Sequence, residues 1–260
     1  MPQSPAALLA RMRSSSPASP RLIWHGNEGR IELSGRVFDN WVAKSSNLLV
    51  EELDAVEGTE VAFDLPVHWK TLALAFACWR IGAVVVLADG HDPDAREELS
   101  PDAVPEGELV LSATALEGIE PPRVLVCVAL GSLAPAWEGS LPTGAVDFAA
   151  EVRSQDDVFP DPVGGGVAGS APLVRVGRRT LDARDLVREL TSPSPVTGSA
   201  GSAPGRTPTL LLEPGSTVLR ALAAAYTLWE GNQDGALVLV EEGVAVSEGM
   251  VLGERITDRL

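Results

Sequence analysis

Lysine is nearly absent from this sequence, and positive charge as a whole is scarce. Only Lys44 and Lys70 occur in 260 residues, and 20 lysines and arginines stand against 36 aspartates and glutamates, which gives a formal charge of -16. Nucleic acids and anionic membrane surfaces are bound by clustered lysine and arginine, which displace counterions. The charge therefore predicts that the partners are neither nucleic acid nor membrane.

Cysteine and long apolar runs are also scarce. Cys78 and Cys127 lie inside apolar segments without the spacing of zinc ligands, so we expect reduced core thiols and no metal site. No run reaches the roughly 20 apolar residues of a transmembrane helix. The apolar run at 6–10 is too short for a signal peptide. These absences predict a cytoplasmic protein.

The clearest structural pattern lies between residues 61 and 89. Residues 61–66 and 82–89 are short, valine-rich runs without alternating polar residues, which is typical of strands covered on both faces in a parallel sheet. Between them, Trp69, Leu72 and Phe76 recur at helical spacing, which predicts a helix with one buried side that ends at Gly82. The stretch predicts a right-handed βαβ unit.

Helical spacing of apolar residues and short apolar runs predict the other helices and strands. Helices are predicted at 5–13, from Ser34 to about Ala55 with Val37, Trp41, Leu48, Leu49 and Leu53 as its buried stripe, at 182–190 and at 217–230. Strands are predicted at 22–24 and 30–33 as a hairpin, and at 109–112, 124–128, 173–176, 209–212 and 236–240.

These elements predict an α/β fold of mostly parallel sheets with helices on both faces, arranged in two βαβ-like halves. Residues 1–160 form the first half, with the N-terminal helix and the hairpin. Residues 161–260 form a smaller second half, with a glycine-rich loop and a low-complexity loop at 191–208 that is too polar to bury apolar surface.

Three motifs in the first half match a known family in order. They are 47–49 (Asn-Leu-Leu) in a helix, 61–66 (Val-Ala-Phe-Asp-Leu-Pro) in a strand, and 81–86 (Ile-Gly-Ala-Val-Val-Val) at the end of the next helix. They resemble the N-terminal part of the AMP-binding superfamily of adenylate-forming enzymes, which includes acyl-CoA synthetases, luciferases and peptide-synthetase adenylation domains. The chain looks similar to a short subgroup of unknown function. The resemblance implies the fold of the N-terminal subdomains of those enzymes.

The resemblance places the family's phosphate loop at residues 164–172, where the family has a Ser/Thr/Gly-rich turn followed by Pro-Lys. Here Leu173 follows Pro172, and no lysine occurs after Lys70. The residues that this match makes candidates for binding a nucleotide are Gly164, Gly165, Gly166, Gly169, Ser170 and Arg178. Arg175 and Arg179 are the other nearby cations, and arginine is a competent phosphate ligand. A flexible linker is the alternative interpretation of this loop.

Other polar residues give weaker candidates. Tyr226 and Glu230 share only their spacing with the family's magnesium-binding turn, so Tyr226 is interpreted as a core or rim residue. His25, His68 and His91 are interpreted as a turn residue, a helix-start residue and a loop residue. The cluster at 89–92 follows the carboxyl end of a strand and is either a ligand-binding edge or a solvated acidic loop.

Two functions are consistent with these features. The first is a degenerate, non-catalytic homologue of AMP-dependent ligases that acts as a binding or interaction module without a cofactor. The alternative is an active AMP-forming enzyme that activates an acyl or aryl carboxylate, or binds a nucleotide, with ATP or AMP and magnesium and with arginine in place of the lysine. Half of the fold would leave apolar faces uncovered, which predicts self-association or a protein partner. The small-molecule ligand is not specified.

Overall fold

The computed structural model describes residues 2–88, 106–131, 134–160, 170–191, 207–231 and 234–260. The helices are α1 (Pro5–Ser15), α2 (Gly35–Asn47), α3 (Trp69–Ile81), α4 (Phe148–Glu151), α5 (Ala183–Thr191), α6 (Val218–Gly231) and α7 (Glu248–Gly253). The strands are β1 (Pro20–Gly26), β2 (Gly29–Ser34), β3 (Glu60–Asp64), β4 (Val84–Leu87), β5 (Leu109–Ser112), β6 (Val124–Cys127), β7 (Val146–Asp147), β8 (Val174–Val176), β9 (Arg179–Leu181), β10 (Thr209–Leu212), β11 (Ala236–Val240) and β12 (Asp258–Arg259).

The strands form two mostly parallel sheets. The larger sheet has the order β7-β6-β5-β3-β4-β8-β9, and the smaller has the order β12-β10-β11-β1-β2. Only the pairs β1–β2 and β8–β9 are antiparallel among the described strands. The predicted α/β class with mostly parallel sheets is confirmed, because the apolar strand runs are covered on both faces.

The central βαβ unit forms as the sequence predicts. Strands β3 and β4 pair in parallel, with Val61 opposite Val85. Gly82 ends α3 in the left-handed conformation (φ 84°), and its N–H caps the carbonyl of Cys78. The prediction of a single buried side was wrong, because every residue from Trp69 to Arg80 is buried. Helix α3 contacts α2, α1 and α6 as well as β4 and β1, so it has no solvent-facing side.

Helix α2 begins at the Ser34 cap as predicted, but its buried face differs. Ser34 Oγ accepts the N–H of Val37, and the helix continues into a π-helical turn at Leu48–Glu52. Phe38 and Val42 are fully buried, whereas Val37 is 40% exposed, so the prediction for Val37 was wrong. In the first turns the core contact is therefore made one residue further along the helix than predicted, whereas Leu48 and Leu49 are buried as predicted.

Both sheets combine strands from each side of the predicted division between residues 160 and 161. Strands β8 and β9 extend the larger sheet beside β4, and the hairpin β1–β2 lies beside β11 in the smaller sheet. The predicted division does not coincide with a boundary between the sheets. Most of the predicted loop 191–208 lies outside the described residues.

The main apolar core lies between the two sheets, around α1, α2, α3 and α6. The outer face of the smaller sheet, including Val238, is covered by residues such as Val246 and Met250. The outer face of the larger sheet, including Val110, is covered by residues such as Trp137. These apolar clusters are therefore covered by the chain itself, and self-association stays a prediction.

Both cysteines are buried and unpaired, as predicted. Burial raises the pKa of the thiols of Cys78 and Cys127, so both stay protonated at neutral pH. Within the described ranges, no helix has the length and apolar character needed to cross a membrane. The described residues also contain no group of three histidine, cysteine, aspartate or glutamate side chains that could hold a metal ion.

Candidate functional site

The carboxyl ends of strands from both sheets meet at a cleft of about 620 Å³. This is the edge at which open α/β sheets bind ligands. The described residues that line the cleft are Trp24, Asn27, Glu28, Pro66, Val67, His68, Leu130, Gly131, Leu212, Glu213, Gly215, Ser216, Thr217, Val218, Val240, Glu241 and Glu242.

Two helices begin at this cleft. His68 caps α3, and its Nδ1 accepts the N–H of Lys70 at 3.2 Å. Thr217 precedes α6, and its Oγ1 accepts the N–H of Arg220 at 3.2 Å. Helix N-termini carry partial positive charge, so both helices direct a weakly positive potential at the cleft.

His68 is held as a neutral imidazole. Its side chain lies against Trp24, with ring centroids 4.5 Å apart at 73°, and the residue is only 3% exposed. Burial, and secondarily the charge of Lys70, lowers the pKa of His68 to about 3. Because Nδ1 accepts a hydrogen bond, the neutral ring carries its proton on Nε2. The predicted helix-start role of His68 is confirmed.

The side chain of Lys70 does not line the cleft. Its Nζ donates to the carbonyls of Ala129 at 2.5 Å and Gly131 at 2.9 Å, which fixes the loop after β6. Burial, opposed by the charge of Glu28 and assisted by that of Arg153, lowers the pKa of Lys70 to about 8. This ammonium is not among the groups that line the cleft.

The charged lining of the cleft is acidic. Glu28, Glu213, Glu241 and Glu242 are the four charged side chains, and no lysine or arginine is among the described residues that line it. Glu241 Oε2 accepts the N–H of Asn27 at 2.6 Å, and Glu213 pairs with Arg259 at 3.2 Å. The cleft therefore presents carboxylates to a ligand.

A second opening of about 780 Å³ continues from the cleft along the carboxyl ends of β3, β4 and β5. It shares the turn before α6 with the cleft and is also lined by Arg220. At its floor Ser112 Oγ donates to Asp64 Oδ2 at 2.6 Å and accepts the N–H of Thr114 at 3.0 Å. Ser112, Asp64 and Thr114 are thus hydrogen-bonded to one another, and they are not arranged as a nucleophile and base.

The structure places the predicted phosphate-loop residues only in part. Gly164, Gly165, Gly166 and Gly169 lie outside the described residues, and so does the predicted cluster at 89–92 with His91. Ser170 is exposed in a turn. The assignment of these residues to nucleotide binding stays a prediction.

The three candidate arginines are at different places. Arg175 is paired with Glu60, with N–O distances of 3.0 and 2.8 Å, at the amino-terminal edge of the sheet and away from the cleft. Arg179 pairs with Glu189 at 3.2 Å. Arg178 is exposed in the β8–β9 turn, and this turn lies at the carboxyl edge because β8 runs parallel to β4.

The structure tests the predictions for Tyr226 and His25. Tyr226 is fully buried, and its hydroxyl donates to the carbonyl of Gln3 at 2.5 Å, which confirms the core interpretation. His25 lies near the end of β1 rather than in the turn, and its Nε2 is 2.8 Å from Glu254 Oε1. Strand β1 continues two residues past its predicted end at residue 24, which places His25 in the strand.

The sequence reasoning missed the acidic lining. Glu213 directly follows β10, and Glu241 directly follows β11, the neighbouring parallel strand. Carboxyl ends of adjacent parallel strands lie at one edge, so these two positions could have been grouped from the sequence. Glu28, in the β1–β2 turn, could be added only once β1 was known to pair with β11.

Comparison with known proteins identifies the family. No family model matches the chain. A Mycobacterium tuberculosis protein described as "TIGR03089 family protein" is 33% identical over 199 residues, which cover 75% of this chain and 77% of the relative. The chain belongs to the TIGR03089 family.

Solved structures show which fold this family has. A Brucella canis acyl-CoA synthetase superposes with a TM-score of 0.65 at 19% identity, covering 98% of this chain and 46% of that one. The N-terminal subdomain of Klebsiella oxytoca NpsA, in complex with 3-hydroxyanthranilyl-AMSN, gives 0.61 at 13% identity, covering 100% and 60%. The N-terminal domain of M. tuberculosis FACL13 gives 0.59 at 14% identity, covering 99% and 62%.

These similarities confirm the predicted resemblance. The chain has the fold of the N-terminal part of adenylate-forming enzymes, and nearly all of it takes part in the match. It spans about half the length of these solved structures, between 46% and 62%. Identities below 20% establish the fold and not the activity.

Proposed function

We propose that this TIGR03089 family chain is a non-catalytic relative of the adenylate-forming enzymes and acts as a binding or interaction module. The observation that supports the proposal is the cleft at the carboxyl edge, whose charged lining consists of four glutamates. Acyl activation by adenylate-forming enzymes requires cations that stabilise phosphate oxygens, and the described cleft lining supplies none.

The electrostatic energies at the cleft favour repulsion of a phosphate over attraction. A phosphate charge about 6 Å from one carboxylate is repelled by about 3 kcal/mol at an effective dielectric constant of about 20. The N-terminus of a helix contributes about 0.3 to 1 kcal/mol of attraction. Two helix ends therefore do not offset even one nearby glutamate.

Two side chains near the cleft, Lys70 and His68, do not supply it with a cation. Lys70 is bonded to two backbone carbonyls, and His68 is neutral at pH 7 because of its lowered pKa. Neither side chain supplies a free positive charge to the cleft. The neutral ring and the glutamate lining suit an uncharged or cationic ligand better than a triphosphate.

The alternative, an active AMP-forming ligase with arginine in the role of the lysine, depends on Arg178. Arg175 and Arg179 are both held in ion pairs with glutamates. Arg178 is exposed at the carboxyl edge, the side on which the cleft lies. It is the candidate arginine that this alternative requires.

Titration calorimetry with ATP and Mg²⁺ separates the two functions. We expect no saturable heat up to millimolar nucleotide for the wild-type chain. Saturable binding would contradict the proposal for the cleft. If Arg178→Ala then abolished that binding while Arg36→Ala, a change of an exposed arginine on α2, left it intact, Arg178 would be shown to bind the nucleotide as the alternative requires.

An interaction module also requires a partner. We propose that this partner is a second copy of the chain or another polypeptide. Analytical ultracentrifugation of the pure chain, and co-purification of the tagged chain from its native cells, test this. A species that stays monomeric at high concentration and co-purifies with nothing would contradict it.

A further inference from the structure

A third opening, which we name the α2 pocket, lies beside α2 and is separate from the cleft. Its volume is about 340 Å³. Its described lining consists of Val37, Asn40, Trp41, Lys44, Lys70, Ala134, Phe148, Ala149, Val152 and Arg153. Four of these residues are spaced at i, i+3, i+4 and i+7 along α2, so one face of that helix forms a wall of the pocket.

The floor of the α2 pocket is apolar. Trp41 packs edge-to-face on Trp69, with ring centroids 5.0 Å apart, and is thereby fixed in orientation. Phe148 and Val152 provide the opposite wall. Val37, which the sequence predicts to be buried, is 40% exposed here. An apolar helix stripe that faces an open pocket instead of the core is available to a ligand.

The charged groups of the α2 pocket are all cationic. Lys44 and Lys70 are the only lysines in the sequence, and both line it together with Arg153. No aspartate or glutamate is among the described lining residues, although the chain carries a formal charge of -16. This concentration of positive charge is opposite in sign to the acidic cleft.

The cations retain hydrogen-bond donors for a ligand. Lys44 Nζ donates to the carbonyl of Gln155, and Lys70 Nζ donates to those of Ala129 and Gly131. An ammonium has three donors, so two remain on Lys44 and one on Lys70. Arg153 is exposed at the rim. All three cationic residues line one small volume, and backbone carbonyls hold the ammonium groups of Lys44 and Lys70 in place, which reduces the ordering entropy of binding.

We propose that the α2 pocket binds a small organic anion, with its apolar body against Trp41 and Phe148 and its carboxylate on Lys44, Lys70 and Arg153. A volume near 340 Å³ is at the lower end of the range of about 300 to 1,000 Å³ for small-molecule sites, which favours a compact anion. The proposal does not depend on whether the cleft binds nucleotide, because the two sites share no lining residue.

Benzoate and hexanoate are suitable probes, with benzamide and hexanamide as neutral isosteres. We expect each carboxylate to bind at least tenfold more tightly than its amide, and to change the tryptophan fluorescence through Trp41. The fluorescence change should be lost in Trp41→Phe while binding measured by calorimetry persists. Equal affinity for carboxylate and amide, or no binding of either carboxylate, would overturn the proposal.

Charge variants locate the site. Lys44→Met and Arg153→Gln should each weaken benzoate binding by about tenfold, whereas Arg36→Gln, an exposed arginine of α2 that does not line the pocket, should change it by less than twofold. Equal effects of Arg36→Gln and Arg153→Gln would show a non-specific charge effect and refute the assignment. Circular dichroism of each variant verifies that the fold is intact.

Proton uptake provides a readout specific to Lys70. Its pKa is about 8, set by burial with Glu28 and Arg153 as the charged neighbours. A bound anion beside the ammonium raises this pKa, so binding at pH 8 should take up protons and the calorimetric heat should depend on the buffer. The buffer dependence should vanish at pH 6 and in Lys70→Met. A buffer-independent heat at pH 8 would contradict contact between the anion and Lys70.

Discussion

Acidification should destabilise this protein through one buried histidine. His68 is 3% exposed between Trp24 and Trp69, and its pKa is lowered from 6.5 to about 3. Between these pH values the unfolded chain binds a proton that the native imidazole does not. Stability is therefore lost as the pH falls from 6.5 towards 3. At pH 4.5, two units below the unfolded pKa, the loss is about 2.7 kcal/mol.

His68→Asn isolates this contribution. Asparagine is a good N-cap and can accept the N–H of Lys70 in place of Nδ1, but it does not titrate. Urea unfolding followed by tryptophan fluorescence, at pH 7 and at pH 4.5, gives the free energy of unfolding of both proteins. The carboxylates around the cleft titrate in both, so their contribution cancels in the difference.

Wild type should lose about 2.7 kcal/mol more than His68→Asn over this pH interval. A direct NMR titration of the imidazole provides a second measurement, and its resonance should not titrate above pH 5. If the two proteins lost the same free energy, or if the ring titrated near 6.5, the assignment of His68 as a buried neutral cap would be refuted.

The remaining predictions concern charges in the interior. The free energy of unfolding of wild type relative to Lys70→Met should rise between pH 8 and 10.5, because the native ammonium loses its proton near pH 8 and the unfolded one near 10.5. Urea unfolding of both proteins at pH 7.5 and at pH 10 measures this difference. A difference that does not change with pH would contradict the prediction. Asp39→Asn should cost about 3 to 5 kcal/mol, since it leaves Arg80, paired at 3.2 Å and only 2% exposed, without its carboxylate. Glu32→Gln, in the exposed pair with Arg30, should cost less than about 1 kcal/mol, and equal losses in the two variants would contradict the argument from burial.

The local elements could be predicted because their signals are local. Valine-rich apolar runs identified β3, β4, β5 and β6 as neighbouring parallel strands, and Gly82 marked the end of α3. The arrangement of two sheets could not be predicted in this way. Strand β1 lies between β2 and β11, and Leu22 is opposite Leu237, a pairing that depends on the packing of the whole chain.

The sites were predictable to different extents. The acids that follow β10 and β11 are a pattern that the sequence contains, because parallel neighbours end at one edge. The α2 pocket gives no such signal, since Lys44, Lys70 and Arg153 come from three separate segments. Its one trace is the error at Val37, which was predicted to be buried but is 40% exposed and lines the pocket, whereas Leu48 and Leu49 of the same stripe lie in the core. A local rule that fails in this way is a useful indication of a binding surface.

Carboxylate-dependent exchange of pyrophosphate into ATP tests the central claim most directly. The pure chain is incubated with ATP, Mg²⁺ and a panel of fatty and aryl acids, and exchange is measured against a no-protein blank. We predict no exchange above the blank with any acid, because the described lining of the cleft offers glutamates and no cation to the phosphates. Formation of an acyl-adenylate with any acid of the panel would contradict this account.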